Sequence, residues 1–285
     1  MIPLRDENPT RRPAALTIVV IAACLVIYFG LQRTAGPQVV QTEAGPVRVP
    51  AEFGFTLEMA AVPCEVTTGQ PLSLGEVQRT FNQGDDRACT SDDRTPELYP
   101  DKRVRLAVLV SMFLHGSVLH VASNMLFLWV FGNNIEDRLG HVFYALFYLA
   151  GGVAASLAHI AVQPDSTVPV VGASGAIAAV MGAYLVWFPR APVLTFAPPF
   201  FLFHLKARWF LGIWFVIQFF TNPNSGVAWV AHVGGFVFGA LVALAVRLAG
   251  GGPAARINPG AAGWDSTGGV ADGPLDRRFG GRSWR

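Results

Sequence analysis

Gly172-Ala173-Ser174-Gly175 lies inside an uncharged run from Thr167 to Phe188, and Ala231-His232-Val233-Gly234-Gly235 lies inside another from Trp209 to Val246. Polar groups sunk in apolar stretches of this length are costly, so they are functional-site candidates by default. A serine hydroxyl and an imidazole are the parts of a nucleophile and its base. Taken alone, a serine in an apolar helix commonly just bonds its own i−4 carbonyl. The hydrolytic reading therefore depends on what accompanies the pair.

Composition agrees with a membrane class. Apolar residues make up 52% of the chain and charged residues only 14%, with a mean hydropathy of +0.41, on the apolar side of soluble domains. A net charge of +2 with no basic stripe argues against nucleic acid as a partner. The expected partners are the lipid bilayer and transmembrane protein substrates; the sequence is silent on oligomeric state.

Charges punctuate the chain, and the windows between them give the spans. The reading is an all-α polytopic membrane protein with six transmembrane helices. Residues 1–12 form a short cytoplasmic N-terminus and 13–33 the first helix. Residues 34–105 form a long external loop, 106–249 hold helices two to six, and 250–285 form a disordered cytoplasmic tail. Within the core, the second span starts near Val118 after a structured approach. The third covers Leu139 to Gln163 and the fourth Thr167 to Phe188. Asn222-Pro223-Asn224-Ser225-Gly226 splits the last window into two spans. The fifth is short, which implies tilt or a thinned bilayer.

Arg5, Arg11 and Arg12, then Arg138, then Arg190, Lys206 and Arg208 mark the cytoplasmic side. Both termini are then cytoplasmic, and the expected location is the plasma (inner) membrane of a bacterium. Ile21-Ala22-Ala23-Cys24 resembles a lipoprotein signal, but the apolar run continues through Leu25 to Phe29 and suits a full span better. Cys64 and Cys89 share the external loop, where a disulfide is permitted and free thiols are equally compatible.

With this orientation Ser174 and His232 fall at similar depth near the outer ends of the fourth and sixth spans. His120 and Asn124 are four apart on the second span and share a face. Both side chains can donate to a developing oxyanion, as can the Ser174 N–H at the start of a helix. Gly172, Gly175 and Gly182 on the fourth span and Ala231, Gly235 and Gly239 on the sixth let two helix backbones approach closely. His115 is a candidate cavity residue; His141 and His204 read as interfacial, and His159 as a satisfied packing histidine.

These residues resemble the rhomboid intramembrane serine proteases. The likeness covers Ser111 to Val246 and rests on His115…His120-x-x-x-Asn124, Glu136-x-Arg138-x-Gly140, Gly172-x-Ser174-Gly175 and Ala231-His232-x-x-Gly235-x-x-x-Gly239. The resemblance implies a Ser174–His232 dyad without a third acid, and an oxyanion site from His120, Asn124 and the Ser174 N–H. It implies a water-filled cavity open to the outside, with Glu136, Arg138 and Gly140 structural around the turn after the second span. It further implies that the fifth span and a cap near Asn222 to Val227 move aside for single-pass membrane substrates, cut near their outer face.

Two departures stand out. Leu106-Ala107 stands where many relatives carry Trp-Arg, and Ala178 stands where some place an aromatic ring supporting the catalytic histidine. Support must then come from elsewhere, with Phe236 or a ring on the fifth span as the options. Gly-x-Ser-x-Gly is absent, and no Cys/His cluster has zinc spacing, so neither metal nor cofactor is expected. The alternatives are a non-catalytic rhomboid-like protein that binds client transmembrane helices and, third, a transporter. The presence of both Ser174 and His232 argues against the former, and the lack of charge deep in the spans against the latter.

Overall fold

A computed structural model of the chain describes residues 1–42, 45–49, 51–90, 95–199, 201–221 and 227–250. The sequence-based tail (251–285) and most of the cap segment (222–226) lie outside the described residues.

The first apolar window folds as α1 (Ala15–Val26), which continues as a π-helical segment to Gln32. Its N-cap, Ala14, offers no side-chain acceptor, yet a helix start leaves N–H groups that need partners. Glu136 supplies them from a distant helix: the N–H groups of Leu16 and Thr17 each donate to its carboxylate at 2.8 Å, and Thr17 Oγ1 donates at 2.7 Å. A buried carboxylate at the positive end of a helix is doubly favoured.

Beyond α1 come a hairpin, β2 (Gln38–Thr42) and β3 (Gly45–Val49), and three short helices, α2 (Ala51–Met59), α3 (Pro63–Thr68) and α4 (Leu74–Gln83). This segment, expected from sequence as a long loop, carries more regular structure than its composition implies. Ser73 and Glu76 form a reciprocal capping box at the start of α4, Cys64 and Cys89 are bridged, and Lys102 Nζ meets Glu65 Oε2 at 2.6 Å in a buried ion pair. Ser111 ties the segment to the membrane core, its Oγ accepting from Ala61 N–H at 2.6 Å and its carbonyl from Gly172 N–H at 2.9 Å. These contacts anchor the segment without a Trp-Arg pair at Leu106-Ala107.

The core follows: α5 (Val104–Val110) with a 3₁₀ turn to Phe113, α6 (Val118–Leu139), α7 (His141–Val162), α8 (Ser174–Trp187), α9 (Ala207–Gln218) and α10 (Trp229–Leu248). Among the described residues, four helices are long and apolar enough to cross a membrane: Ala15–Gln32, α6, α7 and α10. The α8 helix is apolar all round and buried from Gly175 through Tyr184, the pattern of a central helix. It packs against α6, α7 and α10.

The all-α expectation requires amendment. Besides the β2–β3 hairpin, β1 (Ile2–Asp6) pairs antiparallel with β4 (Pro192–Ala197), which pairs antiparallel with β5 (Phe201–Lys206). The stretch between α8 and α9 therefore forms a β-hairpin that captures the N-terminal residues. Non-local pairing of this kind leaves no local periodicity to read.

At the end of β1, Asp6 is buried, accepts a hydrogen bond from Tyr184 Oη at 2.8 Å and is bonded by Asn134 Nδ2. Burial pushes its carboxyl up from 3.8 to about 6 despite the Tyr184 hydrogen bond. The folded chain thus holds a proton between those values that the unfolded chain has released. Asp6 costs progressively more stability as pH rises from about 4 to about 6, up to about 3 kcal/mol. Thermal unfolding of Asp6→Asn in detergent is expected to lack the decline that the wild type shows over that window; identical pH dependence would refute the assignment.

Candidate active site

The glycine-rich stretch before α8 puts Ser174 at the first position of that helix, where its N–H has no intrahelical acceptor. Gly172 takes a φ of +124°, open to glycine and strained for other residues. Four residues into α10, His232 points back at α8. Its Nε2 lies 2.8 Å from Ser174 Oγ. The opposite ring nitrogen, Nδ1, lies 2.8 Å from Gln218 Oε1 at the end of α9.

Two donors on α6 face the same corner. His120 Nδ1 accepts from Gly116 N–H at 3.4 Å, which in the neutral ring leaves the proton on Nε2. That nitrogen lies 2.8 Å from where a Cβ on Gly172 would sit, and Asn124 Nδ2 lies 3.5 Å from the same point. Asn124 is 8% exposed, yet its Nδ2 has no hydrogen-bond partner among the described residues. A buried amide left unpaired is expensive unless something fills its place during function. The missing side chain of Gly172 keeps open the space these donors address.

The remaining sequence-derived residues fall as follows. His115 is buried against His120, with ring centroids 5.1 Å apart, and lines a cavity of about 550 Å³ together with Phe53, Leu57 and Phe81 of the segment after α1. Glu136 also receives His141 Nδ1 at 2.6 Å, so it joins the starts of α1 and α7. The Arg138 guanidinium lies 4.9 Å above the Trp187 ring. Gly140 makes the turn between α6 and α7 with a φ of +76°. Gly175, Gly235 and Gly239 sit where α8 and α10 cross. Cys64 and Cys89 form a disulfide in the segment between α1 and α5. His204 pairs with Glu7 at 2.9 Å, while His159 is buried, its Nδ1 without a hydrogen-bond partner among the described residues.

The ring beside His232 comes from α9: Trp214 lies 5.9 Å away and itself stacks on Phe236 at 6.0 Å. Gln218 went unread in the sequence. The available signal was its isolation, since it is the only amide or charged side chain between Trp209 and Phe220, and its place four residues after Trp214 on one helix face. Its Nε2 donates to the Trp214 carbonyl at 2.9 Å, leaving Oε1 for the imidazole.

Residues 102–249 match the family model of the Rhomboid domain. The chain is 32% identical over 143 residues to Presenilin-associated rhomboid-like protein A, mitochondrial, of Danio rerio, covering 47% of this chain and 36% of that one. It is 30% identical over 167 residues to RHOMBOID-like protein 12, mitochondrial, of Arabidopsis thaliana, covering 51% and 48%. It is 29% identical over 160 residues to Rhomboid protease AarA of Providencia stuartii, covering 49% and 55%. The chain thus spans between 36% and 55% of the length of these relatives. A domain match over half the chain, together with membrane-length helices around a buried α8, makes this an integral multi-pass membrane protein that belongs to the rhomboid family.

Proposed function

We propose that the chain is an intramembrane serine endopeptidase in which Ser174 is the nucleophile and His232 the general base. The observation that carries the reading is the 2.8 Å contact between Ser174 Oγ and His232 Nε2 inside an apolar helix bundle. His232 Nε2 takes the hydroxyl proton as Ser174 Oγ attacks a peptide carbonyl. The tetrahedral oxyanion draws on the Ser174 N–H, His120 Nε2–H and Asn124 Nδ2, with the positive end of α8 behind them. Collapse expels the amine, which takes the proton from His232, and water then cleaves the acyl-enzyme by the same route in reverse.

Six crossings complete this reading, α8 and α9 joining the four long helices. With 14 residues α8 is roughly 21 Å long, against about 30 Å of hydrocarbon. With its far end at one boundary, Ser174 sits roughly 10 Å below the other. Substrates are then membrane-spanning segments cut near one face. The disulfide supports an oxidising side for the segment between α1 and α5, and the Lys/Arg distribution supports a cytoplasmic side, in a bacterial inner membrane, for both described ends of the core.

The test is cleavage of a single-span substrate by purified protein in lipid, with products sized by mass spectrometry. Cleavage within the span near its outer end supports the reading. Folded protein that holds the helix uncut would favour the client-binding class. Asn124→Ala is expected to lower kcat by about 10²–10³-fold with little change in KM, because its donor pairs only in the transition state. A KM effect alone would assign Asn124 to substrate binding instead.

A further inference from the structure

We propose that Gln218 is the positioning residue of His232, holding its proton on Nδ1 so that Nε2 faces Ser174 as a base; the inference builds on the protease reading above. A neutral imidazole carries one proton, and which nitrogen holds it is set by the partner of the other. The partners here are unequal. Ser174 Oγ can either donate or accept at Nε2, so it sets no preference by itself. Gln218 can set one, because its amide is fixed at both ends. Its Nε2 donates to the Trp214 carbonyl at 2.9 Å, which turns Oε1, a pure acceptor, toward Nδ1 at 2.8 Å. The side chain is 7% exposed, so water does not compete freely for either bond.

The consequence for the reaction is specific. The Nδ1 proton stays on Nδ1 throughout, and Nε2 gains the Ser174 proton and later returns it. When the ring is transiently an imidazolium, the Gln218 oxygen is a neutral dipole aimed at its N–H, and no proton passes to the amide. The titratable neighbours of His232 are themselves imidazoles, His120 on α6 and His159 on α7, so neither provides the fixed acceptor that Gln218 does.

Trp214 and Gln218, one turn apart, give His232 both its ring contact and its Nδ1 acceptor. Both lie on α9, whereas the nucleophile and the base lie on α8 and α10. The tautomer of the base therefore depends on α9 being seated, and any displacement of α9 that separates Gln218 from His232 removes the acceptor.

The experiment is ¹⁵N NMR of full-length, ¹⁵N-histidine-labelled protein in lipid, with His232 assigned by loss of its signals in His232→Ala. Wild type is expected to show a protonated Nδ1 and an unprotonated Nε2 on His232. Gln218→Leu, similar in bulk without the acceptor, is expected to show the Nε2-protonated form or a mixture. Gln218→Glu, which restores an acceptor, is expected to restore the wild-type pattern. In parallel, Gln218→Leu should lower kcat by about 10²-fold with KM within about two-fold, and Gln218→Glu should recover at least part of that loss. A wild-type His232 protonated on Nε2, or an unchanged tautomer in folded Gln218→Leu, would overturn the proposal. Equal kinetic losses in both variants with an unchanged tautomer would assign Gln218 to packing and overturn it as well. A wild type with the expected tautomer but no proteolysis would leave this inference standing and defeat the protease reading instead.

Discussion

Ser174→Ala protein, purified in lipid, is expected to cut a transmembrane-helix substrate at no more than about one ten-thousandth of the wild-type rate. The alanine keeps the start of α8 intact but removes the hydroxyl that lies 2.8 Å from His232 Nε2. His232→Ala should lose a comparable factor, since a serine without its base is a weak nucleophile at neutral pH. The double variant should be scarcely worse than either single one, because the two side chains act as a unit and their losses do not add. Progress curves over several hours give the residual rates. A single variant that retained a tenth of the activity would remove its residue from the chemistry.

Gly239→Leu is expected to prevent folding of the bundle. A Cβ on Gly239 would lie 1.9 Å from the Ala179 carbonyl oxygen, one on Gly235 2.2 Å from the Gly175 oxygen, and one on Gly182 2.0 Å from the Phe236 oxygen. Three such contacts with backbone atoms, running both ways between α8 and α10, mean that neither helix can yield locally. The helices would have to separate, and overpacking of a core ordinarily costs about 1–3 kcal/mol even where side chains can adjust. Against a total stability of roughly 5–15 kcal/mol, a forced separation of the two central helices exceeds what the fold tolerates. Gly212→Ala is the control, because nothing lies within 4 Å of its Cβ position. It should leave the melting temperature unchanged or slightly raised, as alanine favours a helix interior over glycine by roughly 0.5–1 kcal/mol. A Gly239→Leu protein with a wild-type melting temperature would contradict the packing account.

These same glycines show why much of the molecule was legible beforehand. A membrane helix that buries small residues at regular spacing announces its partner helix, and a serine and a histidine inside uncharged runs announce themselves by cost. The capping box of α4 was equally available as Ser73-x-x-Glu76. What stayed hidden depends on distant pairing. Nothing local in Ile2–Asp6 points to Val193–Phe196 as its strand partner, and nothing near Ala14 shows that Glu136 will serve the start of α1. Gln218 stayed hidden for a related reason, since an amide in a fifth span acquires meaning only when α9 lies against α10. The same placement explains how Ala178 is accommodated, since the ring contact on His232 comes across from Trp214.

The central claim is that Ser174 is a nucleophile activated by His232. The most direct measurement is intact-mass and peptide mapping of the folded protein in lipid after treatment with a fluorophosphonate. The account predicts one adduct, on the peptide containing Ser174, absent from Ser174→Ala and strongly slowed in His232→Ala. Folded protein that took no adduct, or one that carried it on a different serine while still cutting substrate, would contradict it.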